Sequence, residues 1–179
     1  RRPTGGGMVF HAFDISFAAI MPLTLRGLSG NTLTNYQLVN NKVLKALEKF
    51  LQEYSNKDFS ELFSLLDSDD QKEGGRRRYF CMAKPTIYDV VLGNGQKVAG
   101  AAQRKGRHAL LHQGTLSLSL PRQEVMEGVL KQSETIYPAM EKTSFAIMDE
   151  LKLAGADLEK GKERLTELLI KEITTLGAV

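Results

Sequence analysis

The sequence predicts a domain of mixed α and β structure in which a mostly antiparallel sheet is flanked by helices. Three observations predict it. Apolar residues alternate with polar ones from Phe13 to Met21 and again at Leu116, Leu118 and Leu120, the period of strands with one face turned inward. The turn signal Gly93-Asn94-Gly95 separates strand-like Tyr88–Leu92 from Lys97–Gln103, as in a hairpin. Apolar stripes at steps of three and four run through Tyr36–Tyr54 and Leu158–Leu176, the spacing of helices with one buried face. A chain of 179 residues suffices for one core and falls short of two, so a single domain over residues 1–179 is expected.

The chain opens on Arg1-Arg2-Pro3-Thr4-Gly5-Gly6-Gly7. Three glycines permit a backbone path closed to residues with a Cβ, and successive N–H groups in such a loop can converge on an anion. Arg2 beside them offers a planar fork for phosphate or carboxylate. A flexible tail is the alternative. A strand then runs through Met8-Val9-Phe10 and Phe13 to Met21, with His11 between its two pieces, either as a hydrogen-bonded structural residue or as a group of a site. Pro22 to Gly30 reads as a loop, and Asn31, Thr32 and Thr34 offer caps for the helix that follows. The stripe Tyr36, Val39, Val43, Leu47, Phe50 and Tyr54 reads as packing.

A shorter helix is expected around Phe59, Leu62, Phe63 and Leu66, followed by a charged loop containing Gly74-Gly75. Tyr79-Phe80-Cys81 opens the second sheet segment. The hairpin follows, then a turn at Arg104–Arg107 and a third antiparallel strand at Leu116–Leu120, which completes a meander. From Arg122 onward the chain reads as helical. Val125, Met126, Val129 and Leu130 give one short face, and Met140, Ile147, Met148 and Leu151 a longer one ending near Gly155. Leu158, Leu165, Leu169, Ile173 and Leu176 mark the last helix.

The balance of 24 Lys+Arg against 21 Asp+Glu is mild, with a net charge of +3. Basic clusters at Arg76-Arg77-Arg78 and Arg104-Lys105-Gly106-Arg107 suit a solvated loop or an acidic or phosphate-bearing ligand, and nothing demands nucleic acid. One cysteine, Cys81, excludes an internal disulfide framework and fits a reducing compartment. No apolar run approaches the length of a membrane span. Three histidines and one cysteine give no metal-ligand spacing, and neither a Gly-x-Ser-x-Gly elbow nor a Walker-type loop is present.

The stretch with most chemical character is Gly95 to Leu120. Ala99, Gly100, Ala101 and Ala102 leave almost no side-chain bulk beside the ammonium of Lys97, so a ligand or another backbone can come close there. The alternative is an exposed lysine opening an edge strand.

Taken together, Arg1-Arg2-Pro3-Thr4-Gly5-Gly6-Gly7-Met8-Val9-Phe10-His11, Gln96-Lys97-Val98-Ala99-Gly100-Ala101-Ala102-Gln103 and Leu111-His112-Gln113-Gly114-Thr115-Leu116 resemble the glycine loop, lysine strand and His-x-Gly-Thr/Ser strand of the lipoate–protein ligase and octanoyltransferase family, related to biotin–protein ligase. The resemblance covers nearly the whole chain and implies a class II biotin synthetase-like fold, with a mixed, mostly antiparallel sheet. It also implies that an opening strand and helix precede Arg1 in a complete member. The implied activity joins lipoate or octanoate, through an acyl-adenylate made from ATP with magnesium, to a lysine of a lipoyl carrier domain of a 2-oxoacid dehydrogenase complex or of the glycine cleavage H protein.

In that reading Lys97 is the catalytic cation. Arg2, Gly5, Gly6 and Gly7 hold the acid and the adenylate, while His11, Gly100, Ala101, His112, Gly114 and Thr115 shape the pocket. A monomer in the cytoplasm, without membrane or nucleic-acid partner, is expected.

Two departures qualify the ligase reading. Many ligases carry an asparagine four residues beyond the motif histidine, where this chain has Ile15, with Asp14 one earlier. Cys81, sixteen residues before Lys97, sits about where the ATP-independent octanoyltransferases carry their nucleophile, which would take an acyl group from a carrier thioester. Gly7 and His112-Gln113-Gly114-Thr115 weigh for the ligase, the reading the sequence favours. A non-catalytic lipoate-binding module is the third alternative.

Overall fold

The computed structural model describes residues 11, 13–55, 62–68, 85–130 and 132–178. Strands β1 (Asp14–Pro22), β2 (Phe63–Leu65), β3 (Val90–Leu92), β4 (Lys97–Lys105) and β5 (Ala109–Ser117) form one sheet in the order β1-β5-β4-β3-β2, with every neighbouring pair antiparallel. The helices are α1 (Thr32–Tyr54), α2 (Gln123–Val129), α3 (Ser133–Thr143), α4 (Ile147–Glu150) and α5 (Gly155–Thr174). The fold class expected from the sequence is the one observed.

The sheet has two unlike faces. Directly opposed residues of an antiparallel pair put their side chains on the same face. Ile15, Ala19 and Met21 of β1 and Leu110, His112, Gly114 and Leu116 of β5 are buried, and α1 and α5 cover this face. Val43, Leu47 and Phe50 of α1 meet Leu165 and Leu169 of α5 in the main cluster, together with Ile147 and Met148 of α4. The opposite face carries Ser16, Ala18 and Ile20 of β1, which are exposed, and Leu111, Gln113 and Thr115 of β5, which are half-buried.

Local chemistry sets the element ends. Asn31 caps α1, its Oδ1 accepting the Leu33 N–H at 2.8 Å. Gly95 takes the left-handed conformation, φ +84°, that the β3–β4 turn requires.

Three assignments are corrected. Phe63–Leu65 is a short strand paired with β3, where a helix was expected; Leu62, Phe63 and Leu66 fit a helical step, but pairing with an already formed hairpin edge decides the conformation. The strand expected at Leu116–Leu120 lies earlier, at Ala109–Ser117, because the leucine–serine alternation continues a pattern in which His112 and Gly114 also face inward. The long helix expected to end at Gly155 is broken at Ser144–Ala146, where Ser144 bridges to Lys97 and the Phe145 N–H donates to the Lys97 carbonyl at 2.8 Å; Gly155 instead begins α5. Phe59, the charged loop at Gly74-Gly75, and the Met8–Phe10 and Tyr79–Cys81 segments lie outside the described residues.

Phe50, fully buried in the main cluster, makes a direct test of where the core sits. Phe50→Ala is expected to cost about 3–5 kcal/mol in urea denaturation, and a cost near zero would show that the α1–α5 contact is not the core.

Candidate active site

Lys97 is 5% exposed, which removes the alternative of an exposed lysine on an edge strand. Its Nζ lies 2.8 Å from Oδ2 of Asp89, a residue that is itself fully buried. A register shift explains how a residue at the start of β4 turns its side chain this way. Val90 pairs with Ala99 whereas Val91 pairs with Lys97, so β4 holds one extra residue and Lys97 leaves the strict alternation. Its ammonium then lies over Gly100. A Cβ built on Gly100 would stand 2.3 Å from Lys97 Cε, 2.4 Å from Nζ and 2.7 Å from Asp89 Oδ1. The small residue at 100 therefore makes room for the charge.

Asp89 is saturated with donors. It receives the Thr86 N–H at 2.7 Å, the Thr86 hydroxyl at 3.0 Å, the Tyr36 hydroxyl at 2.5 Å and the Lys97 ammonium. A carboxylate has about four acceptor sites, and these four donors use them. Tyr88, at φ +65°, is a non-glycine residue in left-handed backbone, and its carbonyl is held by Asn40 Nδ2 of α1 at 2.7 Å. The turn Thr86–Asp89 is thereby folded back so that the carboxylate bonds its own first residue.

Tyr36 links α1 to this centre. Its hydroxyl donates to Asp89 and accepts the Ala101 N–H at 2.7 Å, occupying the edge of β4 where β3 has ended. Burial, with Asp89 beside it, pushes its ionisation well above the ordinary tyrosine value. A cleft of about 390 Å³ runs along that edge, lined among others by Thr32, Tyr36, Thr86, Ala101 and Gln103. Ala101 thus serves through its backbone.

His112 points to the helix-covered face and is fully buried. It stacks near Phe17 and Tyr36, with ring centroids 5.8 Å and 5.6 Å away. With Gln103 turned so that its carbonyl faces the ring, Nδ1–H donates to Gln103 at 2.7 Å and the Gln103 amide donates to the Thr32 carbonyl at 2.9 Å. Burial pushes the imidazole down to about 3, so it is neutral near pH 7. Gly114 on the same face leaves room for a ring, since a Cβ there would stand 2.2 Å from Phe17 Cζ. Neither His112 nor Gly114 shares the face of the Lys97 ammonium.

The opposite face brings the other groups together. Ser16 pairs with Thr115, and Thr115 with Gly100, so the three form one row across β1, β5 and β4, with the Lys97 ammonium over its last member. His11 borders the row at the β1 end. Its Nδ1 lies 2.6 Å from Asp14 Oδ2 and 2.9 Å from Ser16 Oγ. Asp14 pairs with Ser117, whose Oγ is buried without a hydrogen-bond partner among the described residues. Four residues along the strands lies a row of Ile20, Leu111 and Arg104.

Of the residues singled out in the sequence, the structure assembles Lys97, Gly100, Thr115 and His11 on one face, with Ala101 at its edge, and places His112 and Gly114 behind the sheet. Arg2, Gly5, Gly6, Gly7 and Cys81 lie outside the described residues. Sequence reasoning missed Asp89, Tyr36 and Thr86 as one arrangement around Lys97, and Asp14 as the partner of His11. A carboxylate at the mouth of the apolar run Val90-Val91-Leu92 was the available signal for Asp89; Tyr36 was hidden in an apolar stripe.

The lipoyl protein ligase A/B catalytic domain family matches residues 1–170, and the chain belongs to that family. It is 27% identical over 148 residues to octanoyltransferase LipM of Exiguobacterium sibiricum, covering 82% of this chain and 50% of the relative. It is 26% identical over 176 residues to octanoyltransferase LipM of Kyrpidia tusciae, covering 93% of this chain and 60% of the relative. The chain therefore spans about half the length of the curated relatives it matches. Among solved structures it shares the fold of a bi-partite lipoate protein ligase of Thermoplasma acidophilum, described with its E2 lipoyl domain, at a TM-score of 0.54 and 16% identity, covering 99% of this chain and 63% of the other.

Tyr36→Phe removes one hydroxyl and leaves the Ala101 N–H and one Asp89 oxygen short of a partner. It is expected to destabilise the chain by about 1–3 kcal/mol in denaturant melts, and an unchanged midpoint would show that the hydroxyl holds nothing in place.

His112 makes a pH prediction. Its folded value lies below the ordinary histidine value, so the unfolded chain binds the extra proton as pH falls. The contribution is fully present above about pH 6.5 and is lost toward pH 3, at roughly 1.4 kcal/mol per pH unit. Melts of wild type and His112→Gln between pH 7 and 4 are expected to differ in slope by about one proton; equal slopes would sink this.

Proposed function

We propose that the chain carries an acyl-transfer site that places an octanoyl or lipoyl group on a lysine of a carrier domain, and that it does so as an ATP-independent transferase with Cys81 as nucleophile. The observation that carries the acyl-transfer reading is the buried Lys97–Asp89 pair seated over Gly100 on the face opposite α1 and α5. Burying two charges is costly and seldom serves stability alone, whereas a fixed ammonium in a dry site is suited to charge that develops on an oxygen. Asp89, itself held by Tyr36 and Thr86, orients the ammonium. Lys97 then polarises the acyl carbonyl as attack makes its oxygen anionic. Thr115, in the next strand, offers a hydroxyl to the same oxygen or its neighbour. The apolar Ala18, Ile20 and Leu111 extend the face away from the charge and would lie along the acyl chain.

Two observations favour transferase over ligase. The relatives that align with most of the chain are named octanoyltransferases. Asp14 precedes the position where many ligases carry asparagine, and here it is bonded to His11. The sequence comparison thus moves the reading away from the ATP-dependent ligase that the motifs alone favoured. The ligase reading retains Gly7, the His112–Thr115 motif and the shared fold of a lipoate protein ligase. It would need ATP, with magnesium held by the phosphates, since no cluster of three or more His, Cys, Asp or Glu that could hold a metal occurs among the described residues. No helix of the described residues is long and apolar enough to cross a membrane.

The test is to mix the chain with an octanoyl thioester and follow its intact mass. An acyl adduct that disappears in Cys81→Ser, with transfer to a lipoyl domain lost in the same variant, is the expected result. Lys97→Ala should slow transfer by about 10²–10³-fold; because it leaves the Asp89 carboxylate buried without its cation it should also lower the melt, so transfer is compared well below the variant's midpoint. Lipoate-dependent ATP–pyrophosphate exchange that survives Cys81→Ser would replace the transferase with the ligase, and absence of binding to either acid or thioester would leave a non-catalytic module.

A further inference from the structure

At the β1 end of the face opposite α1 and α5 stands a second charged arrangement that the reading above does not use. His11 directs Nδ1 at Asp14 Oδ2, 2.6 Å away, with Ser16 Oγ at 2.9 Å. A carboxylate on Nδ1 fixes the proton there in the neutral ring and leaves the lone pair on Nε2, for which the described residues provide no partner. His11 is 42% exposed in its side chain while Asp14 is only 11% exposed, so the carboxylate is the anchored half and the imidazole the accessible one. Ser16 begins the row Ser16–Thr115–Gly100, and at about 4.8 Å per strand the row spans roughly 10 Å from the dyad to the backbone beneath the Lys97 ammonium. An acyl carbonyl held against Lys97 would stand across this row from His11, and an amine attacking it from the β1 side would meet the imidazole.

We propose that His11, held by Asp14, takes the proton from the acceptor lysine amine during acyl transfer. This rests on the acyl-transfer reading. The amine nitrogen attacks the carbonyl carbon of the acyl-Cys81 thioester and the C–N bond forms. His11 Nε2 takes the proton that the nitrogen sheds. The C–S bond breaks, its electron pair leaves on sulfur, and the proton passes to that thiolate, so amide and thiol are the products. Asp14 is a positioning residue, stabilising the imidazolium while it exists. Among the described residues of the three strands, the other charged groups of this face are the Lys97–Asp89 pair across the row and Arg104 at its far end; β5, between Ala109 and Ser117, adds only uncharged side chains.

The experiment compares two acceptors from one acyl-enzyme. Wild type, His11→Ala and Asp14→Asn are charged with octanoyl thioester, and the acyl adduct is then discharged to a lipoyl domain or to hydroxylamine, a weakly basic amine that can lose its proton to water. Expected are acyl-Cys81 formation within about twofold of wild type in both variants, transfer from His11→Ala to the lipoyl domain slowed by about 10²–10⁴-fold, and discharge to hydroxylamine nearly unchanged. Added imidazole should restore part of the lysine transfer in His11→Ala, and Asp14→Asn should show an intermediate loss. Normal acylation followed by equal slowing toward both acceptors, or by none, would overturn the role of His11 alone. A wild-type chain that forms no acyl adduct would overturn the transfer reading and this role with it.

Discussion

An ammonium removed from water is the constraint from which the site geometry follows. Lys97 is 5% exposed, and a buried cation unaccompanied by an anion would cost several kcal/mol. Asp89 meets that demand, but a buried carboxylate is no cheaper unless its own lone pairs are filled. Thr86 fills two of them through a turn whose left-handed Tyr88 is tied to α1, and Tyr36 fills another from α1 itself. The charge on β4 is thus paid for by a helix, a strained turn and a bulge, and Gly100 leaves the space the pair occupies. Each of these looks unremarkable alone; together they aim one cation across the sheet.

The two faces of the sheet differ around that cation. On the covered side α1 and α5 bury a leucine-rich cluster, and even the polar His112 is held neutral there by burial. On the other side small and polar residues leave Ser16, Thr115 and Gly100 in a line. The helix-covered side packs the core, and the other side carries the Lys97–Asp89 pair at the end of that line. Tyr36 joins them, since it rises from the packed helix and ends at the edge of β4.

How much of this was legible in the sequence follows from the range of the interactions. The strand periods, the Asn-Gly turn and the two long helices depend on neighbours a few residues apart, and these were readable. Lys97 among small residues was readable for the same reason, because Gly100 is three residues away. The Tyr36–Asp89 bond spans 53 residues, and a tyrosine in an apolar stripe carries no local sign that its hydroxyl has a carboxylate partner. Phe63–Leu65 was misread because its strand identity comes from β3, more than twenty residues later. His112 and Gly114 were readable as a motif but not as to face; the register with β1 decides that they lie behind the sheet.

If the proposed role of Lys97 holds, the same geometry suits both ligation and transfer. In aminolysis of an adenylate and in aminolysis of a thioester, negative charge grows on the same acyl oxygen, and a fixed ammonium stabilises either equally. In that role the Lys97–Asp89 pair would be indifferent to the leaving group. Selection between the two reactions must come from what binds that leaving group, a phosphate cradle in one case and a nucleophilic thiol in the other. On the reading proposed above these correspond to the Gly5–Gly7 loop and to Cys81, so a change of reaction would require no change at the buried pair, and the same sheet row could be kept while the donor side is rebuilt.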